Sequence, residues 1–187
     1  MYMKQKGLKL IILFTVIIFS NCSTAGESDS SVLNVFKGNR MLPDGVSRIY
    51  IDEIFDGDIN SSIKETFGIV LREKINTNSS LYLVDSSEKS DLMMRVRLTG
   101  YSSKPVKFTS SGEVIETKLR LDAYVRLIYT STGEEKLRNK LVESELVYSD
   151  KNPPIMSEYS AMTALTEQLA QRIISVITTG WYLEKKR

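Results

Sequence analysis

The chain has no histidine and one cysteine. Without histidine there is no Ser-His or Cys-His pair to activate a nucleophile, and no zinc site of the usual kind. A lone cysteine, Cys22, excludes an internal disulfide, and its position near the start leaves the body of the chain without a thiol. Gly-rich phosphate loops, the Gly-x-Ser-x-Gly turn and recognisable pairs of carboxylates are missing as well. The expectation is therefore a protein that is not an enzyme and has no metal or soluble cofactor. Charge of one sign is also scarce: the formal net charge is +2, but Lys4, Lys6 and Lys9 all lie in the first nine residues, so the rest is close to neutral. Any anionic partner must be recognised by where the cations lie, not by their total.

What is present begins with an export signal. Lys4, Lys6 and Lys9 precede the apolar run Leu10–Phe19, which is about half of what a bilayer crossing needs. Phe19-Ser20-Asn21-Cys22 follows, and then a polar stretch opening with Ser23-Thr24. A cysteine placed there reads as a lipobox: the thiol takes a diacylglyceryl group, cleavage removes residues 1–21, and Cys22 becomes the lipidated N-terminus. The other readings are an ordinary secretory peptide with an incidental cysteine and an uncleaved anchor. Acyl chains of the palmitate type, worth roughly 0.8 kcal/mol per buried CH₂, hold a protein to a membrane with no spanning helix. Ser23 rather than Asp after the cysteine permits transfer to the outer membrane. Export in turn excludes nucleic acid as a working partner.

Residues 22–40 are mostly polar, with Ser, Gly and Asn recurring and few apolar side chains, and read as a lipidated flexible tether. Residues 41–181 read as one folded domain, and 182–187 as a basic tail. Arg48–Phe55 has the character of a first strand after the Pro43-Asp44-Gly45 turn. Ser62-Ile63-Lys64-Glu65 resembles a capping box, and Ile63, Phe67, Val70, Leu71 and Ile75 recur at helical spacing. Leu81–Val84 is either a short strand or an extended lead-in. Period-two alternation then marks strands around Leu92–Thr99 and Lys118–Tyr129 and a third over about Lys136–Tyr148, whose apolar phase slips between Leu141 and Val142 and predicts a bulge there. After Asn152-Pro153-Pro154, Ser157 is the expected N-cap of a helix with the stripe Met162, Leu165, Leu169, Ile173 and Val176, closed by Gly180. The expected fold class is α+β: a two-layer sandwich, β-α-β-β-β-α, with two helices on one face of a mostly antiparallel or mixed four-stranded sheet.

The outward rows of the three alternating strands gather Arg95 and Arg97, then Lys118, Arg120 and Arg126, then Lys136, Arg138 and Lys140, with Asp122 as essentially the one opposing acid. Two readings stay open. Outward strand positions are polar in any one-sided sheet, and Lys and Arg discourage edge pairing. Alternatively, Arg95, Arg97, Arg120 and Arg138 form a seat for lipid phosphates or an acidic partner, since guanidinium groups pair bidentately with phosphate. A second candidate is the hairpin between the first two of these strands, where Lys104 and Lys107 flank Pro105 and Phe108 sits near the tip. It too is either simply solvated or a contact for an amphiphile's phosphate and acyl region.

The pattern as a whole resembles one family, the lipopolysaccharide-assembly lipoproteins LptE. The resemblance runs from about Leu42 to Trp181: Leu42-Pro43-Asp44-Gly45-Val46 ahead of an Ile-Tyr-Ile strand, the capped helix, Ser90-Asp91-Leu92 opening the meander, Tyr148 before an Asn-Pro break, and Arg172-Ile173-Ile174 in a last helix ending at Gly180-Trp181. It implies an outer-membrane lipoprotein that assembles with the barrel protein LptD, plugs its lumen, and binds lipopolysaccharide on its way to the outer leaflet. No catalytic residues are implied, and basic residues near the hairpins, here Lys104 and Lys107, are the implied lipopolysaccharide contacts. The alternative is another periplasm-facing adaptor or assembly lipoprotein on a similar two-layer fold.

Overall fold

The computed structural model describes residues 42–43, 45–57 and 59–180. Cys22, the signal, the tether and the basic tail lie outside these residues. Strand β1 (Arg48–Asp56) leads into helix α1 (Ser61–Asn76), then β2 (Tyr82–Leu83), a short 3-10 turn, β3 (Leu92–Phe108), β4 (Val114–Tyr129), β5 (Glu135–Tyr148) and helix α2 (Glu158–Ser175). A π-helical turn over Val176–Gly180 prolongs α2.

The strands form one mixed sheet in the order β2-β1-β3-β4-β5, with β1 parallel to both β2 and β3 and the remaining pairs antiparallel. The sheet has five strands where four were expected. The fifth is the ambiguous Leu81–Val84 segment: Tyr82 N donates to Ser47 O at 2.8 Å and Val84 N to Ile49 O at 3.0 Å, which lays two residues along β1.

Period two puts Leu92, Met94, Val96 and Leu98 of β3 and Leu119, Leu121, Ala123, Val125 and Leu127 of β4 on the helix-covered face, where all nine are fully buried. The stripe Ile63, Phe67, Leu71 and Ile75 of α1 and the stripe Leu165, Leu169 and Ile173 of α2 close over them. Two helices with one apolar stripe each and a sheet with one apolar face have a single economical solution, a two-layer stack with one core. Ser144, fully buried on the same side, is satisfied by donating to Gln168 Oε1 at 3.2 Å.

Two local readings are corrected. Helix α1 begins two residues earlier than the Ser62–Glu65 pattern suggests, because the Asn60 side chain caps it by accepting from Ser62 N at 2.9 Å. Helix α2 starts as expected, with Ser157 Oγ accepting from Ser160 N at 3.1 Å. The bulge in β5 lies upstream of Leu141: Val125 pairs with Lys140 and Leu127 with Leu137, so Arg138 and Asn139 together oppose Arg126. Asn139 takes φ 49°, the left-handed region that Asn tolerates better than most residues.

Beyond a second irregularity at Thr99, β3 and β4 run on as a long ribbon whose turn, Thr109–Glu113, uses the positive φ of Gly112. At the opposite end of the domain, Asp91 clamps the start of β1 against β3. Its carboxylate accepts from Ser47 N at 3.1 Å, Arg48 N at 2.8 Å and Arg48 Nη2 at 2.6 Å. The Arg48 guanidinium, aided by these backbone donors, lowers the Asp91 pKa to about 2.

Candidate functional site

The bulge at Arg138–Asn139 decides what the open face of the sheet carries. Uninterrupted alternation from Lys136 would point Val142 and Ser144 outward and turn Glu143 and Glu145 toward the helices. One extra residue reverses this phase, so Val142 and Ser144 enter the core while Glu143 and Glu145 join the cations of β4. Lys140 moves the other way: it lies in register with Val125, on the helix side, and does not belong to the basic row expected for it.

The outward cations are therefore opposed by several carboxylates, not by Asp122 alone, which corrects the sequence expectation. Arg95 Nε meets Asp52 Oδ2 at 2.5 Å, and Lys118 Nζ meets Glu145 Oε2 at 2.6 Å. Arg120 is bound by Asp122 at 3.0 Å, by Glu143, and by Glu145 at 3.7 Å. Arg126 and Arg138 share Glu135, the latter at 3.0 Å. Lys136 leaves the row expected for it, because a second shift between Leu127 and Ile128 skips it in the register, and its Nζ lies 2.6 Å from Glu134 and over the ring of Tyr129, which packs against the core. Hydrogen bonds from Arg126 and Arg138 hold the Glu135 carboxyl below its ordinary pKa, and Lys118 does the same for Glu145. Such a lattice is close to neutral and offers little to a polyanion. Sequence reasoning missed Glu135, Glu143 and Glu145 because their relevance depends on strand register; the Glu143-x-Glu145 spacing opposite Arg120 was the available signal.

Arg97 stands apart. Exposed at the middle of β3, it has no carboxylate partner among the described residues, and its cross-strand neighbours are Phe55 and Tyr124. On the hairpin, Lys107 is held by Glu116 at 2.6 Å, whereas Lys104 is exposed with no carboxylate partner among the described residues. Val106 and Phe108 are exposed there too, Phe108 by 55%. The six candidate cations thus do not form one site. Arg95, Arg120 and Arg138 belong to the ion-pair lattice, Arg97 to an apolar row, and Lys104 and Lys107 to the ribbon.

None of these arrangements is a catalytic constellation, and among the described residues no cluster of three metal-ligating side chains occurs and no helix is long and apolar enough to cross a membrane. The sequence profile of the LptE lipopolysaccharide-assembly family matches residues 46–177. The chain belongs to the LptE family. It is accordingly a lipopolysaccharide-assembly lipoprotein of the cell envelope, in a family that is not enzymatic. Solved structures share the fold of this chain: an uncharacterised lipoprotein B from Nitrosomonas europaea superimposes with a TM-score of 0.54 at 17% identity, covering 76% of this chain and 90% of that one. The hypothetical protein CT253 from Chlamydia trachomatis gives 0.53 at 8% identity, over 75% and 99% of the two chains. Protein XCC0632 from Xanthomonas campestris gives 0.54 at 5% identity, over 75% and 88%. At such identities the likeness speaks for the fold alone. Among curated proteins no sequence matches significantly.

Proposed function

We propose that this LptE-family chain is an outer-membrane lipoprotein, anchored through acylated Cys22, that assembles with and plugs an LptD-type barrel and binds lipopolysaccharide during its transfer to the outer leaflet. The observation that carries the reading is the family match, which spans nearly the whole of the two-layer domain. The export signal and the cysteine behind it supply the address and the anchor, and residues 22–40 supply reach between membrane and domain. Lys104, with Val106 and Phe108 on the same ribbon, pairs an ammonium that has no carboxylate partner among the described residues with apolar surface, which suits a phosphorylated amphiphile. Lys107 contributes less because Glu116 already neutralises it.

Two measurements test this. Affinity purification of the full chain from detergent-extracted envelopes should bring down a large β-barrel protein identifiable by mass spectrometry; an unrelated partner in its place would leave the adaptor alternative. Lys104→Glu with Phe108→Ser should weaken binding of purified lipopolysaccharide, and the loss should shrink as salt rises, because an exposed charge contact is screened within about 10 Å at 0.1 M. Equal binding by variant and wild type would remove the ribbon from the site.

A further inference from the structure

The open face of the sheet changes character along one line. Phe55 on β1, Arg97 on β3, Tyr124 on β4 and Leu141 on β5 are consecutive cross-strand partners, so they form one row across four strands. Phe55, Tyr124 and Leu141 are exposed by 40%, 39% and 42%. On one side the row is bordered by the Arg95–Asp52 and Arg126–Glu135 pairs, and on the other by Arg120 with Asp122 and Glu143. An exposed aromatic, apolar and arginine centre ringed by ion-paired side chains has the composition of a protein–protein hot spot, in which Tyr and Arg are enriched and the surrounding contacts chiefly exclude water.

We propose that this row is the surface by which the domain docks against the wall of its barrel partner, and that the wall presents a carboxylate to Arg97. This rests on the barrel reading above and adds which face is turned to the wall and by what chemistry. Charge decides between a protein wall and a polyanionic lipid. Among the described residues the cations bordering the row are already held by carboxylates, so a multiply phosphorylated head group would meet acids on both sides and, among those residues, one guanidinium without a carboxylate between them. A mixed-charge protein surface needs only one acid there, and the interior of an outer-membrane barrel is polar enough to provide it. Phe55, Tyr124 and Leu141 then lose water against the wall's apolar positions.

Photocrosslinking in the intact envelope reads this directly. A benzoylphenylalanine replaces Tyr124 or Leu141 in the full chain, and as a control Ile69, which is 67% exposed on α1 in the opposite layer. Adducts identified as the barrel protein are expected from positions 124 and 141 and not from 69. Barrel adducts from 69 alone, lipid adducts at 124, or no adduct at 124 and 141 while the barrel co-purifies would each overturn the assignment. A second readout uses Arg97→Glu, which should reduce the co-purified barrel by about tenfold or more, since it sets like charges together. Its thermal melting should stay that of the wild type; unchanged recovery of the barrel would also overturn the proposal. If the wild type itself brings down no barrel, the proposed function fails, and this inference falls with it for that separate reason.

Discussion

The two faces of the sheet are built by one alternating pattern and are held by opposite physics. On the covered face, apolar side chains of β3 and β4 are fully buried beneath α1 and α2. On the open face of the same strands, arginines and lysines are tied to carboxylates of neighbouring strands. Burial of a leucine is worth about 1.5–3 kcal/mol, whereas an exposed ion pair contributes about 0–1 kcal/mol. The covered face therefore sets stability, and the open face is free to be shaped by what it meets.

The strongest way to break that contrast is Leu121→Asp, which places a carboxylate in the fully buried row of β4. An unpaired charge there costs several kcal/mol, a large part of the roughly 5–15 kcal/mol that holds a domain together. Loss of the cooperative melting transition is expected; a monomer melting as the wild type does would mean the two faces are reversed.

Asp91→Asn tests the clamp at the start of β1 and should cost about 1–2 kcal/mol at neutral pH. Because the folded pKa, about 2, lies below the ordinary 3.8, the stabilisation is complete above 3.8 and is lost as pH falls toward 2. Denaturant titrations of wild type and variant should differ at pH 7 and converge near pH 2. A constant difference at every pH would show that Asp91 acts through packing and not through charge.

A smaller effect, about 1 kcal/mol, is expected for Asn139→Val, since a β-branched residue resists the positive φ of the bulge. Asn139→Gly should be neutral or slightly stabilising, and equal melting of the two variants would show that the bulge does not need this conformation. The least effect on folding belongs to Arg97→Gln, within about 0.5 kcal/mol, as befits an exposed side chain with no ion partner among the described residues. A larger loss of stability would mean that Arg97 belongs to the fold and not to a partner surface.

Local periodicity determined most of the architecture before any contact was known. Alternation in β3 and β4, the helical stripes, the Ser157 cap and the residue pattern that reads as an export signal are short-range, and the order of those patterns was enough to point to the LptE family. The fifth strand was not legible, because two residues of β2 carry no period and pair only after β1 is in place. Nor was the cap at Asn60, since a more conventional capping box stood two residues downstream. The site was harder still. Which cations on the open face are free depends on register, and register depends on one extra residue at Arg138–Asn139 that brings Glu143 and Glu145 across from Lys118 and Arg120. Sequence alone placed the cations on a face because alternation is a property of one strand; only the tertiary structure chose their partners, because pairing is a property of two.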